Sequence, residues 1–178
     1  MDLHAPARGF TLVEALIVIA LIGIVAVVAV PMLRAQDPVR LDAAATEVGN
    51  ALRFAMREAQ RTGGYLLVDV STPGQLRVHA SNASGAQLGA VNDPLTKSAL
   101  DIGTSQPQWP NSIAMTGRFF SGGVAYTQLL VGPAGQLQAF EGGVNRGALQ
   151  AGSGIELTAG TLSALVAISE TTGRVALP

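Results

Sequence analysis

The chain has no cysteine. That removes disulfide staples, thiolate nucleophiles and cysteine-bound metals together, so the fold must hold by packing alone. Charge is scarce as well. Charged residues fill only 13% of the 178 positions and the net charge is −1, so no global field points to nucleic acid or an anionic surface. Histidine is nearly absent. His4 lies in the first nine residues, and His79 has no second histidine to join it, so it reads as a strand-surface residue. No Gly-x-Ser-x-Gly, His-Glu-x-x-His or phosphate loop ending in Gly-Lys-Ser/Thr occurs. The glycines between Gly142 and Gly154 lack the strand-to-helix setting of a phosphate cradle and read as loop. Neither an enzyme nor a bound cofactor or metal is expected.

What the sequence does have is one long apolar run. From Phe10 to Leu33 the only polar side chains are Thr11 and Glu14. As a helix this run measures roughly 36 Å, more than the about 30 Å of a hydrocarbon core. A carboxylate at the centre of such a helix costs on the order of 2.5–3.5 kcal/mol, and near its edge it still calls for a partner. A secretory signal cut after Val27-Val28-Ala29 fits part of the run, but its length, Glu14 and Pro31 argue against that. A plain uncleaved anchor explains neither Gly9 nor Glu14. Charge does not orient the helix, because Arg8 before it is opposed by Arg34 and Arg40 after it.

The hexapeptide Gly9-Phe10-Thr11-Leu12-Val13-Glu14 resembles the class III signal peptide of type IV pilins and type II secretion pseudopilins. The resemblance implies a leader over residues 1–9, cut between Gly9 and Phe10 by a prepilin peptidase on the cytoplasmic side. It implies N-methylation of Phe10, a role for Glu14 in filament assembly, and a helix kink at Pro31. The partners it implies are that peptidase, other pilins or pseudopilins, and inner-membrane lipid before assembly. The chemistry follows directly. Cleavage frees an ammonium at Phe10, and Glu14 of a neighbouring subunit can pair with it in an apolar bundle. Buried pairs add little net stability, yet removing one partner strands a charge at about 3–5 kcal/mol, so the pair sets register. Helix-dipole complementarity gives Glu14 a separate, purely local role of about 0.3–1 kcal/mol.

Residues 34–64 read as an amphipathic helix half. Asp37-Pro38 suits an N-cap followed by proline at the first helical position, and Gly63-Gly64 a stop. The apolar stripe is Leu41, Ala45, Val48, Leu52, Ala55 and Ala59. Away from it stand Arg53, Arg57 and Arg61 at four-residue spacing, with Phe54 facing off the core. Three readings are open for this row: a ridge for acidic groups on a neighbouring subunit, a phosphate contact, or a solvated face relieved by Glu58.

From Tyr65 the pattern turns to strands. Leu66, Val68 and Val70 alternate with their neighbours, Thr72-Pro73-Gly74-Gln75 suits a type II turn, and Leu76, Val78 and Ala80 complete a hairpin. Residues 81–111 read as an inserted loop with a short turn around Leu95–Ile102 and Trp109 as an anchor to the core. Strands are then expected at Ile113–Phe120, Val124–Val131, Gln136–Phe140, Ile155–Ala159, Leu162–Ser169 and Arg174–Leu177. Two breaks are alike, Gly132-Pro133-Ala134-Gly135 and Glu170-Thr171-Thr172-Gly173, each a four-residue turn ending in glycine. With the hairpin around Gly173-Arg174, the region resembles the globular part of GspH/FimT-type minor pilins and pseudopilins. In some pilus members a basic stretch after this glycine contributes to DNA binding, whereas here only Arg174 matches.

The expected fold is α+β: a long N-terminal helix over residues 10–33 for membrane and filament core, continued by residues 34–64. It packs on a small antiparallel domain over residues 65–178. The expected function is a minor pilin-like or pseudopilin-like subunit. One alternative is a DNA-uptake pilus subunit, contacting nucleic acid through Arg174, Arg118 and Arg146. A weaker one is a signal-anchored periplasmic domain with no filament role.

Overall fold

The computed structural model describes residues 12–34, 37–94, 96–104, 106, 109 and 113–178, with the side chains of the first helix described as far as Val25. The contacts divide the chain into two units, residues 1–36 and 37–178.

The first unit contains helix α1, Leu12–Arg34. Its large apolar side chains from Leu12 to Val25 are exposed on every side, so it has no polar face to turn to water. α1 runs past Pro31 to Arg34 rather than ending there. Among the described residues no helix is long and apolar enough to cross a membrane. The described side chains of α1 trace about 21 Å of helix, less than the whole Phe10–Leu33 run.

The second unit begins with helix α2, Asp37–Thr62. All six residues of the expected stripe are buried, joined by Ala44, Gly49 and Ala51. Gly63, at φ +66°, ends the helix in the left-handed conformation that glycine adopts without strain. Strands β1, Tyr65–Asp69, and β2, Gln75–Ser81, form the expected hairpin. Gly74 has φ +72° and the Gln75 amide donates to the Thr72 carbonyl at 3.1 Å, as the type II turn requires.

The next segment departs from the expectation of a loop over residues 81–111. It contains β3, Gln87–Ala90, and β4, Asp101–Gly103, which lie along the same free edge of β2. β3 pairs with residues 79–81 and β4 with residues 75–77. Between them a tongue is closed by the Asn92–Ala99 bridge. All four β3 residues are exposed, so backbone pairing forms this strand without any alternation to betray it. Trp109 does anchor the end of the segment. It is buried in the core, and its Nε1 donates to the Ile113 carbonyl at 3.4 Å.

Eight further strands follow: β5 Ile113–Ser121, β6 Val124–Tyr126, β7 Gln128–Val131, β8 Leu137–Glu141, β9 Val144–Ala148, β10 Gly154–Ala159, β11 Leu162–Ile168 and β12 Val175–Ala176. Their antiparallel pairings build two sheets. The first has the order β3-β2-β1-β7-β8-β9 with β4 on β2, the second β12-β11-β10-β5-β6. The expected strand Val124–Val131 therefore breaks at Thr127, where the chain changes sheets. The Thr127 carbonyl accepts from the Val70 amide at 3.0 Å and faces Gly117, where a Cβ would stand 3.0 Å from it. β9 lies within the expected 142–154 loop. Gly142 and Gly143, at φ +58° and +81°, make the two-residue turn that starts it.

The main core lies between α2 and the sheets, with Val48, Leu52 and Ala55 packed among Phe119, Ile155, Leu157 and Val166. Each large side chain so buried contributes about 1.5–3 kcal/mol. A smaller cluster of Leu67, Leu130 and Phe140, with Tyr65 against it, forms on the opposite face of the first sheet. Gly85 lies against the Phe140 ring, so close that a Cβ there would fall inside it.

Candidate interaction surfaces

Gly9 and Phe10, the expected cleavage and methylation positions, lie outside the described residues, as does the side chain of Pro31. Glu14 stands in the first turn of α1 among exposed Leu12, Val13, Leu16 and Ile17.

On α2, successive residues turn about 100°, which sets three stripes roughly 120° apart. One is the buried stripe. A second carries Glu47, Asn50, Ala51 and Phe54, and the third carries Arg53, Met56, Arg57 and Gln60. Each of the two outer stripes forms one wall of a cleft.

The first cleft, about 540 Å³, is closed on its far side by the tongue and β4. Its charged lining is acidic throughout: Glu47, Asp93 and Asp101. Phe54, expected to face away from the core, is half-buried here beside Leu100 and Ile102. The inserted segment covers it. Glu47 makes no hydrogen bond or ion pair among the described residues, and burial pushes its carboxyl above the usual range. The Asp93 carboxylate accepts from the Thr96 amide at 3.1 Å and shapes the tongue. Asp101 Oδ2 accepts from Gln75 Nε2 at 3.0 Å and Arg77 Nε at 3.4 Å, while Oδ1 is buried without a hydrogen bond. The three carboxylates do not converge as metal ligands would, and no metal-holding group occurs among the described residues.

The second cleft, about 570 Å³, lies between α2 and the Ser169–Arg174 turn. Its charged lining is basic throughout: Arg53, Arg57 and Arg174. Arg53 Nη2 donates to the Val175 carbonyl at 3.0 Å and Arg57 Nε to the Arg53 carbonyl at 3.3 Å, and neither makes an ion pair among the described residues. Arg61 differs. It makes two bonds of 2.6 and 2.7 Å to Glu58, holding the Glu58 carboxyl below its usual range. The arginine row is thus divided: Glu58 relieves its last member, and the first two join Arg174.

The fold does not gather Arg118, Arg146 and Arg174. Arg118 pairs with Glu156 at 3.1 Å and lies over the Phe120 ring, and Arg146 lies over the Tyr126 ring. Arg118 is on β5 and Arg146 on β9 of the first sheet, beside Tyr126 of β6, whereas Arg174 precedes β12 at the other edge of the second sheet. The acidic cleft had no sequence signal, because Asp93 and Asp101 sit in a segment without periodicity.

The family model for the prokaryotic N-terminal methylation motif matches residues 5–30. No curated protein matches the chain in sequence. Among solved structures the chain is similar to the type IV minor pilin FimU of Pseudomonas aeruginosa, at 14% identity and a TM-score of 0.49, over 80% of this chain and 91% of that one. It is also similar to the minor pseudopilin EpsH from the type II secretion system of Vibrio cholerae, at 12% identity and a TM-score of 0.48, over 78% and 92%. The chain thus carries a prokaryotic N-terminal methylation motif that leads into an apolar helix, ahead of an antiparallel α+β domain.

Proposed function

We propose that this chain is a minor pilin-like or pseudopilin-like structural subunit of the GspH/FimT type. A prepilin peptidase cuts it after Gly9 and methylates Phe10. Its apolar helix holds it in the inner membrane, with the C-terminal domain in the periplasm, and then enters the core of a filament with other pilins or pseudopilins. Pro31 kinks that helix. The observation that carries the reading is the methylation motif over residues 5–30, with Glu14 inside an otherwise apolar stretch. Mass spectrometry of the protein from its native membrane should find an N-terminus at Phe10 carrying a methyl group. An intact Met1, or a start at Val30, would remove the reading.

A second reading, nucleic-acid binding in a DNA-uptake pilus, gains one observation: Arg174 stands with Arg53 and Arg57 around a single cleft. Affinity for DNA comes mainly from cations neutralising phosphates, and its logarithm falls with salt in proportion to their number. Three arginines on one face, with Arg118 and Arg146 engaged elsewhere, make a small footprint. The domain from Asp37 onward should therefore bind duplex DNA weakly near physiological salt. Anisotropy titrations at two salt concentrations, beside Arg174→Ala, check this. Micromolar or tighter binding that weakens in the variant would promote the second reading.

A further inference from the structure

The two outer stripes of α2 are matched opposites. One cleft is lined by three carboxylates and no basic side chain, with Asp101 already bonded to Arg77 from outside the lining, the other by three guanidinium groups and no acidic side chain, and their volumes are nearly equal. Glu47 is half-buried and has no partner among the described residues, and Arg57 and Arg174 are exposed. We propose that the acidic cleft of one copy receives the arginine-bearing flank of α2 from a second copy of this chain. Where this contact operates rests on the filament reading; the contact itself is argued from the domain alone.

Several observations favour this occupant. Arg57, exposed in the wall of the basic cleft, can project from its own helix into a groove. The guanidinium fork matches carboxylate geometry, and Arg burial suits an interface better than Lys because it is more weakly hydrated. Phe54 gives the arriving arginine an apolar and aromatic wall. The net charge of −1 puts up no long-range repulsion between copies. Donor and acceptor surfaces lie on different flanks of one helix, so one cleft-to-flank contact leaves each copy with a second surface to offer. Such head-to-tail contacts close into a ring or, where the rotation does not close, repeat along an open helical array. Mating charges near the surface are screened beyond about 8 Å at physiological ionic strength, so the contact weakens with salt.

The absence of cysteine makes the test direct. Full chains carrying Glu47→Cys or Arg57→Cys are prepared from native membranes, mixed and oxidised, with circular dichroism confirming that each variant is folded. The mixture should give at least tenfold more cross-linked dimer than either variant alone, and 1 M salt should suppress it. In a second arm, Glu47→Arg and Arg57→Glu should each lower self-association of the full chain and recover it when mixed. Equal cross-linking of Glu47→Cys with itself, or none between folded variants, would overturn the proposal. Cross-links that form only when duplex DNA is added would also overturn it, by giving the arginines to nucleic acid. The N-terminus is read on the same samples. A start at Phe10 without cross-links defeats this contact alone, and cross-links with an intact Met1 defeat the filament reading alone.

Discussion

Glu14→Ala is expected to leave the chain in the membrane and to lower its recovery in sheared filaments at least tenfold. The substitution removes the one charge from an otherwise apolar stretch, so insertion becomes easier rather than harder. Assembly is affected in the opposite sense. On the proposed reading, cutting the leader sends the Phe10 ammonium into an apolar bundle, where without a carboxylate from a neighbour it is stranded. A stranded buried charge costs about 3–5 kcal/mol, and each 1.4 kcal/mol is tenfold in an equilibrium. Two to three orders of magnitude in incorporation are therefore at stake, before any compensation by a shift of the ammonium to its neutral form. Glu14→Asp, which keeps the charge on a shorter arm, should lose less. Quantitative blotting of sheared and membrane fractions checks both variants. Equal recovery of Glu14→Ala and wild type would assign Glu14 only its local role at the start of a helix.

Phe140→Ala is expected to produce the largest loss of stability in the domain, about 3–5 kcal/mol, as deletion of a buried ring generally does. The ring is fully buried beside Leu67 and Leu130 on the face of the first sheet that points away from α2. Little else lies there to collapse into the gap. Gly85 supplies an independent check on the same contact. It has φ +76° and stands directly on the ring, so Gly85→Ala combines a backbone penalty with a collision. The ring must move or the 82–86 turn must lift. Chemical denaturation of the domain from Asp37 onward, read by circular dichroism, measures both. Because the sites touch, the double variant should cost less than the sum of the singles. Strict additivity would show that the turn does not rest on the ring.

The parts of the fold that could be read from the sequence are those where side chains carry the pattern. The stripe Leu41 to Ala59 repeats at the helical period, so α2 and its buried face were visible. Thr72-Pro73-Gly74-Gln75 has its proline and glycine where a type II turn needs them, so the first hairpin was visible too. β3 and β9 were hidden for one shared reason. They are edge strands whose side chains are nearly all exposed, and their existence depends on backbone pairing with a neighbour far off in sequence. The division into two sheets was hidden differently. Val124–Val131 is an unbroken run of strand-forming residues, and only the approach of the chain around Gly117 and Val70 makes Thr127 the point of transfer. Of the interaction surfaces, the arginine row was legible as a row. Its partition, with Arg61 held by Glu58 and Arg53 and Arg57 joined by Arg174, depends on where the last turn of the chain comes to lie. The acidic cleft needed the tongue, and the tongue needed β2.

The last residues of the domain also close on its first helix, α2. Arg53 on α2 reaches the Val175 carbonyl across 122 positions, and Leu177 rests over Gly49 so closely that a Cβ there would meet its Cδ2 at 2.6 Å. Contacts of such sequence separation form late, because the loop must close before anything rewards it. A chain emerging N-terminus first therefore presents α2 with its buried stripe unmatched until β10, β11 and the final residues arrive. During that interval Val48, Leu52 and Ala55 are open to any other apolar surface, including a neighbouring α2 in the same condition. Folding of this domain is timed by its last residues, and the stretch of time before they appear is when it is most open to capture by a chaperone or by its own kind.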